Sequence, residues 1–151
     1  MNDILRRGME YNHWANQRWL DCLIRTNAEE TDRKIFQHIL ASTKVWALRC
    51  HGISLTEMPK PDLTHENLDE ISKMWIEILD TRENFNEMIP YKRTTGEPNQ
   101  MTISWMAQHV INHGTYHRGE LRGLRRMRGD DDFPDTDIAG YAFQAGGATS
   151  P

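Results

Sequence analysis

The sequence predicts an all-α protein: a four-helix bundle with a long connection from the second helix to the third and a small hairpin or loop before the fourth. Three observations carry this expectation. Four stretches repeat apolar residues at three- and four-residue spacing, the prolines fall between those stretches, and 151 residues make about one domain. The bundle is expected over residues 1–142 as a single domain, with 143–151 a disordered Gly/Ala/Ser tail.

The first helix is expected from about Asp3 to Thr26, with Leu5, Met9, Asn12, Asn16, Trp19 and Leu23 on one stripe. The second begins near Asn27, whose side chain can cap while Glu30 reaches back, and ends before Gly52. Its apolar residues run almost all the way round, so it should be heavily buried. Pro59 and Pro61 keep the segment from Ile53 to His65 from being helical throughout. Extended, that segment is long enough to travel the length of a bundle and start a parallel neighbour at the far end. Thr64 caps the third helix, expected from about Glu66 to Ile89 with Leu68, Ile71, Trp75, Ile78, Leu79 and Phe85 facing inward. Pro90 to Ile103 reads as two short arms around a Gly-containing turn. The fourth helix runs from about Ile103 to Arg128 and stops at Gly129.

Composition narrows the function. A net charge of -4 gives no general basic excess, which disfavours broad nucleic-acid binding. Two cysteines are too few for a disulfide scaffold and suit a reducing compartment. No apolar run is long enough for a signal peptide core or a membrane span, so a cytoplasmic protein with no membrane partner is expected. The basic run from Arg122 to Arg128 is an ordinary complement to a helix C-terminus, and Asp130 to Asp132 follow it.

The fourth helix carries the chemistry. His109, His113 and His117 recur every four residues and so stack along one side. On a helical wheel His117 lies within the apolar sector of Met106, Val110, Gly114, Leu121 and Leu124. His113 lies at its edge, and His109 drifts toward the polar side. His113 and His117 are the better inward pair. Buried neutral imidazoles need partners, and one divalent metal would satisfy both rings. A third ligand must come from elsewhere: His13, His38, His51 and His65 are the candidates, and spacing alone does not separate His38 from His51. Gly114 and Gly119 cost helix stability and imply close helix approach or contact with a second subunit. Arg118 and Arg122 are expected off the inner stripe, paired if buried by Glu10 or Asp137. The five tryptophans are read as mostly core, and Cys50 as a small core residue rather than a nucleophile.

Several blocks in order give the chain a family resemblance. Tyr11-Asn12-His13-Trp14-Ala15-Asn16, the string Phe36-Gln37-His38-Ile39-Leu40-Ala41 followed by Trp46, Arg49 and Gly52, the string from His109 to Gly119, and Pro134-Asp135-Thr136-Asp137 with Tyr141 resemble the DinB/YfiT-like family of metalloenzymes, also called damage-inducible DinB proteins. The resemblance covers about residues 3 to 142, and the fourth-helix string is its most specific part. It implies a bundle that is often a homodimer and a divalent metal held by His38, His113 and His117. Imidazole suits zinc, nickel, copper and iron alike, and zinc or nickel is the expectation. Glu120 departs from the Gln that many relatives carry and is read as supporting a ligand or as a surface residue. The resemblance further implies an enzyme acting on a small molecule, a transferase that uses a low-molecular-weight thiol or a related metal-dependent hydrolase. The alternative is a non-catalytic, metal-stabilised sensor or interaction module.

Overall fold

In the computed structural model, which describes residues 2–151, the chain is mostly helical, with five helices and one two-stranded sheet. They follow one another as α1 (Asn2–Arg25), α2 (Glu30–Cys50), α3 (His65–Thr81), β1 (Met88–Lys92), β2 (Pro98–Thr102), α4 (Ile103–Met127) and α5 (Ile138–Gln144).

The long helices form where the apolar stripes demand it. Leu5, Met9, Asn12, Asn16, Trp19 and Leu23 are all buried, so the stripe on α1 faces inward over its whole length. The start of α2 differs from expectation. Asn27 sits at φ 46 and closes α1 in the left-handed region, which Asn tolerates, while Glu29 takes the position before α2 and gives no side-chain cap. Gly52, at φ 74, follows the end of α2 as expected. Thr64 caps α3 by accepting from the Asn67 amide. This helix stops at Thr81 rather than near Ile89, because Arg82 turns extended and Asn84 accepts from the Asn86 amide in a local turn. Phe85 still packs on the core from that turn, and Ile89 enters β1, where it alternates inward with Tyr91. The strands pair antiparallel around Gly96, at φ 92, and Thr102 then caps α4.

Packing follows from side-chain partners. α2 and α3 run parallel: Gln37 donates to the Pro61 carbonyl, Trp75 to that of Thr43, and Arg82 to that of Cys50. The extended segment between them makes that direction available, as its length implies. α4 runs antiparallel to α2, with Cys50 meeting Met106 at one end and Asp32 meeting Arg125 at the other. It runs beside α1 in the same direction, from Gly8 against Ile111 to Thr26 against Arg125. Asp32, with 0% exposure, binds Arg125 at 3.2 Å and Arg128 at 2.6 Å, so the basic end of α4 is spent on internal ion pairs.

Two expectations are corrected here. Arg118 is buried to 2% exposure, yet neither Glu10 nor Asp137 pairs with it: Glu10 accepts from Arg6, and Asp137 caps α5. Its Nη1 instead donates to Asn12 and Asn16, each at 2.7 Å, and its guanidinium stands 5.5 Å from the Tyr11 ring. Among the tryptophans, Trp19 and Trp75 are core, but Trp105 is 63% exposed. The helix α5 is a further difference, since only a turn and a tail were expected there. It leans on α1 through Tyr141, whose ring lies 5.9 Å from Tyr11 and 5.4 Å from Trp14, and through a bond from Trp14 Nε1 to Gln144.

Gly114 and Gly119, both on α4, separate cleanly. A Cβ at Gly114 would collide with Asn12 and with the Arg118 guanidinium, whereas a Cβ at Gly119 meets nothing. Chemical denaturation should therefore show Gly119→Ala gaining roughly 0.5–1 kcal/mol from helix propensity. Gly114→Ala should lose stability despite the same propensity gain, because overpacking costs about 1–3 kcal/mol.

Candidate metal centre

The string from His109 to Arg118 carries two interleaved stripes. Residues four apart share a side of the helix, and adjacent residues stand about 100° apart. Gly114 and Arg118 therefore turn toward α1, while His113 and His117 turn toward α2.

On α2, His38 meets them. Its Nε2 lies 3.2 Å from that of His113, and its ring centroid is 4.9 Å from each of the His113 and His117 rings. The His113 and His117 centroids are 4.5 Å apart. One nitrogen from each of the three rings falls within 4.8 Å of the others, a group that could hold a metal ion. Two ligands of a tetrahedral ion bound at 2.0–2.1 Å stand roughly 3.3 Å apart, close to the His38 to His113 separation. A hydrogen bond between two neutral imidazoles would account for that pair but not for the third ring beside it.

The surroundings suit neutral imidazole. Burial pushes His113 down to about 4, with the His117, His38 and His109 rings adding to the effect. Burial, then His117, lowers His38, and Glu120 opposes the shift. His117 Nδ1 lies 2.7 Å from Glu120 Oε2. A carboxylate only accepts, so Nδ1 carries a proton, and Nε2 is the nitrogen of that ring left for a metal. This gives Glu120 the supporting role considered for it. The side toward His38 is open. His38 is exposed, and a groove of about 170 Å³ beside it is lined by Lys34, Gln37, Ala41, Met58, Pro59 and Lys60. The sequence reading did not select these residues, although Lys34 lies one turn before His38 on the same face.

The other histidines lie apart from this group. His13 pairs with Asp69 at 3.1 Å, His65 pairs with Asp21 at 2.7 Å, and His51 is exposed at the end of α2. His109 continues the row, 5.3 Å from the His113 ring and 5.0 Å from that of Trp46, but is exposed as the wheel placed it. Cys50 is buried against Met106, and burial pushes its thiol up to about 12, which removes it as a nucleophile. Asn112 and Tyr116 are exposed, on the outer side of α4.

The His113 shift sets a pH dependence. Its folded value is depressed, so the neutral ring contributes stability that is complete above 6.5 and is lost as pH falls toward about 4. Over that window the unfolded chain takes up the proton and the folded chain does not. Melting curves of metal-free protein should fall through the window, and less steeply in His113→Asn.

The chain is 26% identical over 166 aligned residues to Protein DinB of Bacillus subtilis (strain 168), an alignment covering 95% of this chain and 96% of that protein. The model of the DinB family matches residues 1–145, which include α1 to α5 and all three histidines. The chain belongs to the DinB family.

Proposed function

We propose that the four long helices form a four-helix bundle whose purpose is to hold a divalent transition metal, zinc or nickel, on His38, His113 and His117. The observation that carries this reading is the convergence of three imidazoles from α2 and α4 on one point, with Glu120 fixing the proton of one of them. A cation held there supplies positive charge that three neutral ligands do not cancel, which lowers the pKa of a water or thiol bound to it.

The groove beside His38 gives a small molecule a way in, and Lys34 and Lys60 give it positive charge at the rim. We therefore favour catalysis on a small molecule, a thiol-dependent transfer or a related hydrolysis, over a purely structural role for the metal. A structural site closes its coordination with a fourth protein ligand, whereas the group among the described residues has three. The partner proposed for the chain is a second copy. The support is a hollow of about 780 Å³ between α1, α4 and α5, bordered by exposed Ile4 and Ile138.

Elemental analysis of purified variants tests the ligand set. His113→Ala should lose the metal and His109→Ala should keep it; equal loss from both would contradict the assignment. Metal-loaded protein should turn over a small thiol with an electrophile, or hydrolyse a small ester or amide, and His113→Ala should not. Light scattering should give twice the chain mass, and Ile138→Glu should reduce it to the mass of one chain.

A further inference from the structure

Among the described residues three arginines are buried, and they are compensated unequally. Arg125 has Asp32, and Arg118 has Asn12, Asn16 and Thr115. Arg49, 8% exposed near the end of α2, has neither kind of partner. Its guanidinium carbon stands 4.4 Å from the Trp46 ring and 4.5 Å from the Tyr91 ring; its buried Nε has no hydrogen-bond partner, which is true of Arg118 and Arg125 as well, but those two are bonded through their Nη atoms. Among the described residues no carboxylate lies within ion-pair distance of it and no side chain or carbonyl accepts from it. Arg93 nearby adds positive charge, and burial lowers the Arg49 pKa without providing a counterion.

A guanidinium does not neutralise itself, so a buried one with free donors is costly to keep. The two ring centroids are 5.3 Å apart and inclined at 69°, so both rings lie to one side of the guanidinium carbon, and neither is an acceptor for the N–H edge that matches a carboxylate. Two rings also hold the fork still, so little freedom is lost when an anion arrives.

Its position connects it to the histidines. Arg49 follows His38 by eleven residues, three turns and within about 20° of the same face, roughly 16 Å along the helix axis. The interval is bridged by rings: Trp46 against His109 at 5.0 Å, and His109 against His113 at 5.3 Å. We propose that Arg49, seated against Trp46 and Tyr91, binds the carboxylate of an elongated small molecule that lies along this row of rings with its other end at His38, His113 and His117. The second half rests on the metal-centre reading above; the first half does not.

The test follows the Arg49 Nε–H resonance in metal-free and zinc-loaded protein during titration with acetate, inorganic phosphate and straight-chain dicarboxylates from succinate to sebacate. Acetate should shift the resonance saturably in both forms. At one dicarboxylate length, affinity should rise about tenfold or more with zinc and not without it, as expected for a ligand held at two points. In Arg49→Lys, which keeps the charge and loses the fork, the acetate effect on the neighbouring Trp46 indole resonance should disappear. Absence of a saturable acetate shift, equal acetate affinity in Arg49→Lys, or tighter binding of phosphate than of acetate would overturn the carboxylate site. If zinc is bound and no dicarboxylate gains from it, the extended ligand is overturned. If the protein takes up no zinc, the metal-centre reading fails, while the acetate titration still decides the role of Arg49.

Discussion

The rotation of α4 about its own axis is the constraint on which the rest depends. An error of one residue would swing the histidines by about 100° and separate them from His38. That rotation is fixed from the opposite side, where Gly114 lets Asn12 approach the helix and Arg118 reaches across to Asn12 and Asn16. The bonds that seat α4 on α1 are thus the bonds that aim His113 and His117 at α2. Hydrogen bonds to a buried cation are stronger than neutral ones and directional, which suits them to fixing an angle where apolar contacts would tolerate a slip.

Buried charge has separate uses along the same helix pair. At one end Asp32 gathers Arg125 and Arg128 and anchors the end of α4 to the start of α2. Midway, burial and neighbouring rings push His38 and His113 toward the neutral form, and the Glu120 carboxylate stands beside His117. At the far end Arg49 has ring faces and no acid.

Much of this was legible in the chain. The α1 stripe, the Thr64 cap, the hairpin around Gly96 and the ordering of the three α4 histidines follow from periodicity and turn chemistry, which are local. The choice of His38 over His51 was not, because α2 is apolar around most of its circumference and has no clear inward direction; the family resemblance supplied it. Asn27 was mistaken for a cap because the same side chain suits both the start of one helix and the left-handed end of another. The early end of α3 was missed because Phe85 and Ile89 keep a helical interval while entering the core from a turn and a strand. Asn12 and Asn16 beside Arg118, and Tyr91 beside Arg49, lie on other elements, and no spacing within one helix reports them.

The segment beyond α4 meets α1 in a way that bears on the order of assembly. Tyr11 donates to the Thr136 carbonyl, 125 residues away, and Trp14 reaches Gln144. Closing so long a loop is entropically costly, and α5 contributes no buried residue to offset it. It should dock onto a body that is already folded and be the earliest part to lift off again, exchanging its amide hydrogens with solvent well before the helices beneath it. The aromatic faces of Tyr11 and Trp14 would then be uncovered intermittently while the histidine cluster on the other side of α4 stays in place.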